Sequence, residues 1–213
     1  MSVIISKQAN EELIAYLKRT GTEIEFFNDI PTVAFPVSAH PDMLYCWLKP
    51  GIVFRGDEKL LSPDYPLDIR FNACSTGKYF IHNLNYTDPG LLELSKELGL
   101  IPVNVRQGYS KCNIVNVDTD SIITSDEGIA ISCKSAGLSV LLVSKENIFL
   151  PGYDAGFLGG CSGNNGREVI FNGNLAAHKD FGKIRDFIQS RGLRIRYFES
   201  YPLTDIGSLV FCE

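Results

Sequence analysis

The chain has 213 residues, the size of one ordinary domain or of two small ones. Apolar residues make up 45% of it and charged residues 21%, which suits a protein with a full core and excludes disordered, collagen-like and coiled-coil classes. The 20 basic and 25 acidic side chains give a formal charge of −5. This balance argues against a nucleic-acid partner, because binding phosphate backbones needs a concentrated basic surface.

The sequence contains no apolar run near the roughly 18 residues that cross a bilayer, so no membrane partner is predicted. The only apolar stretch at the start covers residues 3–5, which is too short for a signal peptide. Six cysteines without an export signal are expected to be thiols rather than disulfides. We therefore expect a cytoplasmic protein.

The first predicted elements are a strand, a helix and a second strand. A β-branched run at residues 3–5 precedes a helical pattern over 8–19, in which Leu13, Ile14 and Leu17 share one face. Gly21 follows as a helix C-terminal cap, because glycine tolerates the left-handed conformation. Residues 23–27 then read as a second strand.

The same order of strand, helix, glycine and strand recurs three more times. The copies lie at 79–81, 89–98, Gly99 and 101–105; at 121–123, 128–135, Gly137 and 139–143; and at 169–171, 181–190, Gly192 and 194–198. A degenerate copy runs from a strand at 51–54 to one at 67–69 without a helix. Five units of about 43 residues fall within the range of repeat architectures.

Each copy is preceded by a further short strand, for example 44–48 and 114–117. The last of these strands, 208–211, is predicted to pair with 3–5 and so to close a ring of five ββαβ units with few free sheet edges. The alternative is an open doubly wound sheet. That fold would need a glycine-rich phosphate loop after its first strand, and the sequence has none.

This repeat resembles the pentein, or guanidine-modifying-enzyme, fold. The segment at 205–209 looks like the last-repeat Gly-Ser-Leu segment of that fold, and the segments at 105–114 and 150–157 look like those of a small uncharacterised bacterial branch of it. The resemblance implies one α/β domain over 1–213, a five-bladed propeller of pseudo-fivefold ββαβ repeats with one blade lacking its helix. Penteins include arginine and agmatine deiminases, dimethylarginine hydrolases, amidinotransferases and a non-catalytic translation factor. The fold therefore leaves the function open.

In catalytic penteins the site lies on the axis, where the inner strands begin. The resemblance of His40-Pro41-Asp42 to the family's His-x-Asp motif implies that His40 moves protons and that Asp42 holds a cationic guanidinium. Imidazole suits proton transfer because its reference pKa is about 6.5. The alternative is a loop histidine that caps a turn.

Two cysteines are candidate nucleophiles, Cys112 and Cys74. A thiolate needs a nearby cation or base to lower a pKa of about 8.5, and Lys111 directly precedes Cys112. The further residues predicted to bind a ligand are Lys111, Asn113, Cys161, Asp205 and Ser208. The alternative is that these cysteines act as small buried hydrophobes.

The chain departs from the family in its last unit, where catalytic penteins carry their nucleophile three residues after the serine. That place, counted from Ser208, is Phe211, and Cys212 lies one residue further on. In a strand this displacement turns the side chain to the opposite face. Cys212 is therefore a poor nucleophile.

We predict no metal and no cofactor, because Cys74, Cys112 and Cys161 lie on separate loops without local ligand spacing. Outside the axis, His82 is interpreted as a surface residue and Asp180 as a helix cap. Two functions stay open. One is a thiol-dependent hydrolase or transferase acting on a small guanidino or amidino compound. The other is a non-catalytic pentein that binds a small polar ligand or a macromolecular partner.

Overall fold

The computed structural model describes residues 1–146 and 148–212, which form a mixed α/β fold with five small sheets and five helices. The strands are β1 (Ser2–Ser6), β2 (Glu23–Phe27), β3 (Tyr45–Lys49), β4 (Ile52–Arg55), β5 (Cys74–Ser75), β6 (Tyr79–His82), β7 (Ile101–Asn104), β8 (Ile114–Asp118), β9 (Ser121–Thr124), β10 (Ser139–Leu142), β11 (Ser162–Asn164), β12 (Glu168–Phe171), β13 (Arg194–Arg196) and β14 (Val210–Phe211). The helices are α1 (Glu11–Arg19), α2 (Pro89–Glu97), α3 (Ser110–Asn113), α4 (Glu127–Ser135) and α5 (Phe181–Gln189). Within the described ranges, no helix combines the length and apolar character needed to cross a membrane.

Four sheets share one arrangement, in which an inner strand pairs antiparallel with a middle strand and the middle strand pairs parallel with an outer one. Their strand orders are β14-β1-β2, β5-β6-β7, β8-β9-β10 and β11-β12-β13. A helix connects each parallel pair, because parallel neighbours need a long crossover. The four predicted repeats of strand, helix and strand are confirmed.

Residue chemistry sets the ends of these helices. The side chains of Asn10, Asp88 and Asp126 accept hydrogen bonds from backbone N–H groups in the first turns of α1, α2 and α4. The predicted cap at Asp180 is wrong, because its carboxylate instead accepts from the Ser144 N–H at 2.8 Å and from Lys183 Nζ at 2.7 Å. The glycine that follows each of α1, α2, α4 and α5 has a positive φ, as its left-handed position requires.

The second unit is a two-stranded sheet in which β3, in the place of the inner strand, pairs antiparallel with β4. The strand predicted at 67–69 is wrong, since these residues lie in turns. Pro63 and Pro66 lie in the segment before residues 67–69, and the Leu67 N–H donates to the Asp64 carbonyl within a turn. A proline-rich connection of this kind cannot supply a third ladder of backbone hydrogen bonds.

The two ends of the chain meet in one sheet, as predicted. Val3 lies opposite Phe211 and Ile4 opposite Val210 in the antiparallel β1–β14 pair. The inner strand begins at Val210 rather than at Ser208, because Ser208 has a φ of 68°, which an extended strand does not allow. This left-handed serine lies at the candidate site.

The helices cover the middle strands with apolar faces. Leu13 and Leu17 of α1 pack with Val3 and Ile5 of β1, and all four are buried. α4 and α5 pack on β9 and β12 in the same way. Because the middle strands are buried on both faces, they are continuous apolar runs, which is why they were recognisable in the sequence.

Candidate functional site

Two short segments before inner strands carry the central residues of the candidate site. His40 joins two short 3₁₀ helices, Val37–Ala39 and Pro41–Met43, directly before β3. The Asp42 N–H donates to the Gly207 carbonyl at 3.1 Å, which ties this turn to the segment before β14. Cys112 lies in α3, which leads directly into β8.

His40, Asp42 and Cys112 form one buried cluster. One ligand-type atom from each residue lies within 4.8 Å of the other two, and the residues are 1%, 0% and 3% exposed. The Cys112 thiol donates to Asp42 Oδ2 at 3.3 Å. Both ring nitrogens of His40 and the other oxygen of Asp42 have no hydrogen-bond partner in the part of the chain that the structure describes. Such unpaired buried groups cost stability, so they point to binding or chemistry.

A chain of hydrogen bonds connects this cluster to a cation. Lys111 Nζ donates to Ser208 Oγ at 2.9 Å, and Ser208 Oγ donates to Asp42 Oδ2 at 2.6 Å. Lys111 Nζ also lies 3.4 Å from the Gly159 carbonyl. The ammonium is therefore held one hydroxyl away from the carboxylate.

Asp205 lies on the other side of His40. Its Oδ1 is 3.8 Å from His40 Nδ1, and its carboxylate accepts hydrogen bonds from the Phe157 and Gly207 N–H groups. Burial raises the pKa of Asp205, and the nearby His40 opposes that rise. A Cβ at Gly160 would lie 2.0 Å from Asp205 Oδ1, so only glycine fits beside this carboxylate.

Gly207 fixes the position of His40 by close contact. Its φ is +72°, and a Cβ added there would lie 2.2 Å from His40 Cβ. The sequence reading singled out Ser208 but not the glycine before it. A glycine next to a candidate site residue was the signal that it missed.

Asn72 is a second site residue for which the sequence analysis proposed no role. Its Nδ2 lies 3.3 Å from Cys112 Sγ and 3.1 Å from the Asp42 carbonyl, and its Oδ1 accepts from the Lys111 N–H at 3.0 Å. The available signal was a lone amide among apolar residues before β5. The sequence analysis instead selected Cys74, two residues later, as a candidate nucleophile.

The surroundings of Cys112 raise the pKa of its thiol well above the usual value. Burial is the main cause, and the carboxylates of Asp42 and Asp205 add to it, while the Asn72 hydrogen bond opposes it. Lys111 precedes Cys112 in sequence, but its ammonium donates to Ser208. These surroundings therefore favour the thiol over the thiolate at Cys112.

Three other predicted site residues make their hydrogen bonds or apolar contacts outside the cluster. Cys74 belongs to an apolar group with Tyr79 and Ile81, and burial raises its pKa to about 11. The Cys161 thiol donates to the Phe157 carbonyl at 3.3 Å within an apolar cluster. Asn113 Nδ2 donates to the Tyr109 carbonyl. For the two cysteines this is the surrounding of small buried hydrophobes.

The surface position predicted for His82 is wrong. The residue ends β6 as expected but is completely buried, with Nδ1 2.7 Å from Thr87 Oγ1 and Nε2 2.9 Å from the Gly108 carbonyl. Burial lowers its pKa to about 4. His82 has both hydrogen bonds that a structural histidine needs.

A cavity of about 340 Å³ lies beside the cluster. All five inner strands contribute to its wall, and Lys111 lines it. The described residues that line this cavity do not include His40, Asp42 or Cys112. The cation thus faces the cavity, and the thiol is enclosed behind it.

Comparison with known proteins adds one finding to this geometry. A family model described as "Family of unknown function (DUF6873)" matches residues 51–210, well over half of the chain. The chain belongs to this family. The matched region contains Asn72, Lys111, Cys112, Asp205 and Ser208 and excludes His40 and Asp42. No curated protein matches the chain significantly.

Proposed function

We propose that this member of the family is a five-bladed α/β propeller whose axial cluster is the active site of a thiol-dependent hydrolase or transferase. The substrate class is a small guanidino or amidino compound. The observation that carries the proposal is the enclosure of His40, Asp42 and Cys112 within 4.8 Å of one another, with unpaired polar atoms on the first two.

The contacts among the inner strands support the propeller. β3 contacts β5, β5 contacts β8, β8 contacts β11, β11 contacts β14, and β14 contacts β3 again. This cyclic order agrees with five blades around one axis. The cavity whose wall includes all five inner strands is the central channel of such a ring.

In the proposed reaction, the sulfur of Cys112 adds to the central carbon of the amidinium group. The thiol proton passes to His40, and His40 returns a proton to the amine that leaves as the C–N bond breaks. Water then displaces the sulfur in a hydrolase, or an acceptor amine does so in a transferase. Asp205, 3.8 Å from His40, stabilises the imidazolium between these steps.

The side chain of Asp42 supports the proposal that the substrate is a cation. Its unpaired Oδ1 is a buried carboxylate oxygen, the acceptor that a guanidinium or amidinium N–H binds most strongly. The negative charge of Asp42 also contributes to the raised pKa of Cys112. A cation bound there would offset this effect, so that the thiol becomes reactive as the substrate arrives.

The second candidate function is binding without catalysis. The raised pKa of Cys112 favours it, as does Phe211 in the position where catalytic penteins carry their nucleophile. In this alternative, the cluster holds a small polar ligand and Cys112 forms no covalent bond. The two functions differ in what the thiol does.

A pair of alkylating reagents distinguishes them. A neutral haloacetamide and its cationic haloacetamidine analogue have nearly the same size, and peptide mapping reports which cysteine each one modifies. The enzyme proposal expects the cationic reagent to modify Cys112 faster than the neutral one, a preference that Asp42→Asn removes. His40→Ala is expected to slow both reactions.

Cys133 is the internal control, because it is buried in α4 among apolar residues. It should show no preference for the cationic reagent in any variant. If Cys112 is modified no faster than Cys133, and His40→Ala changes nothing, the enzyme proposal fails and the binding function stands.

A further inference from the structure

We propose that His40, Asp42 and Cys112 form a binding site for a thiophilic divalent cation such as Zn²⁺, with the fourth coordination position open. This inference goes beyond the proposed function, since a metal can bind whether or not the chain is an enzyme. While it is bound, Cys112 cannot act as a nucleophile. It also replaces the sequence prediction of no metal, which weighed only ligand sets made of three cysteines.

The donor set fits the cation. Zn²⁺ prefers imidazole nitrogen, thiolate sulfur and carboxylate oxygen in tetrahedral geometry. Three protein ligands with one open position are typical of catalytic zinc sites. Bond lengths of about 2.0–2.3 Å put tetrahedral ligand atoms about 3.3–3.6 Å apart. The three donor atoms lie within 4.8 Å of one another, so no pair needs to approach by more than about 1 Å.

The unpaired atoms of the cluster are the ones a cation would use. His40 has two ring nitrogens without a hydrogen-bond partner in the described chain, and Asp42 has one such oxygen. Both residues are at least nine-tenths buried. A bound cation would satisfy atoms that the protein itself leaves unpaired.

The residues around the cluster are arranged as a second coordination shell. Asp205 Oδ1 lies 3.8 Å from His40 Nδ1, the carboxylate–histidine arrangement that fixes the ring of a metal ligand. Ser208 Oγ donates to Asp42 Oδ2 at 2.6 Å, and Asn72 Nδ2 lies 3.3 Å from Cys112 Sγ. Each proposed ligand therefore has a polar neighbour that orients it.

The charges also balance. Metal binding releases the Cys112 proton to solvent as the sulfur–metal bond forms. The thiolate, Asp42 and Asp205 then carry three negative charges against the single positive charge of Lys111. One divalent cation neutralises the remaining two. A buried cluster favours this neutral state, because an unpaired charge is costly in the interior.

Cobalt titration of the chelator-treated full chain tests the inference. Co²⁺ reports tetrahedral geometry and a sulfur ligand through separate absorption bands. We expect one Co²⁺ per chain with both bands, displaced by Zn²⁺. Cys112→Ser should lose the sulfur band and His40→Ala should weaken binding, while Cys212→Ser should keep both because it removes a thiol outside the cluster. Asp205→Asn should keep the bands and weaken affinity about 10- to 100-fold.

Circular dichroism of each variant identifies any that fails to fold. If one does, cobalt binding by Asp205→Asn and Cys212→Ser still tests the inference. Absence of both bands from the wild-type protein overturns the inference. So does a sulfur band that survives in folded Cys112→Ser. When the alkylation test above is run on chelator-treated protein, the two proposals fail separately. Bands without Cys112 alkylation support the site and refute the enzyme, and alkylation without bands does the reverse.

Discussion

His40 and His82 are both almost completely buried, yet their surroundings differ in one decisive respect. Both nitrogens of His82 have partners, in Thr87 and Gly108. Neither nitrogen of His40 has a hydrogen-bond partner among the described residues, and its charged neighbour Asp205 is 3.8 Å away. A buried histidine with satisfied hydrogen bonds stabilises the fold, whereas an unsatisfied one is available to a ligand or a proton.

The two regions also differ in how the chain assembles them. His82 lies at the end of β6 and contacts residues that belong to the same and the adjoining unit. The His40 cluster needs the segments before β3, β5, β8 and β14, which are far apart in sequence. The cluster therefore depends on closure of the fold, and the His82 region does not.

The largest expected effect comes from deleting residues 208–213. The deletion removes β14 and Ser208, and with them the buried partner of β1 and the donor to Asp42. We expect loss of cooperative folding, since a domain is stable by only about 5–15 kcal/mol. Thermal unfolding followed by circular dichroism measures this. Deleting only residues 212–213 keeps β14 and is the matched control. An unchanged melting temperature after the longer deletion would show that closure is dispensable.

The pH dependence of stability tests the His82 region next. The folded pKa is about 4, and the unfolded value is about 6.5. Between these values the unfolded chain binds more protons, so the free energy of unfolding should rise with pH from about 4 to about 6.5 and gain about 3 kcal/mol from this residue. Urea unfolding at several pH values measures the rise, and His82→Gln should flatten it. An equal slope in wild type and variant would contradict the assignment.

The sequence predicted the repeats well because each middle strand is an apolar run and each helix between parallel strands ends before a glycine. It also placed Lys111, Cys112, Asp205 and Ser208 near the site. It did not separate Cys112 from Cys74, since both lie near the starts of inner strands. Which cysteine faces Asp42 depends on side-chain direction in α3, and periodicity carries no information about a helix of four residues.

Other errors have the same origin. His82 was interpreted as exposed because it ends a strand, although the fold covers that strand end with the Gly108 segment. Asp180 occupies a cap position, but its carboxylate accepts a hydrogen bond from the N–H of Ser144, which lies 36 residues earlier in the chain. Long-range partners of polar side chains do not appear in local sequence patterns.

A smaller effect compares the two histidines directly. His82→Ala and His40→Ala remove the same side-chain volume from buried positions, so their cavity costs are similar. Only His82→Ala also breaks two hydrogen bonds, although Thr87 Oγ1 still donates to the Asn83 carbonyl and the Gly108 carbonyl still accepts from the Ser110 N–H. We therefore expect it to cost about 2 kcal/mol more than His40→Ala. Chemical denaturation of both variants at neutral pH checks this, and equal costs would mean that His40 has a structural role.

The smallest effect compares the two cysteines that the sequence could not separate. In Cys112→Ser, the new hydroxyl keeps Asn72 and Asp42 as partners, since both contact Cys112 Sγ at 3.3 Å. In Cys74→Ser, the hydroxyl is buried among the apolar side chains of Tyr79 and Ile81. Burying an unpaired hydroxyl costs about 1 kcal/mol or more, so Cys74→Ser should be less stable than Cys112→Ser by about that amount. Urea midpoints of the two variants measure the difference. The reverse order would mean that the Cys112 cluster is packed for a thiol and does not tolerate a polar replacement.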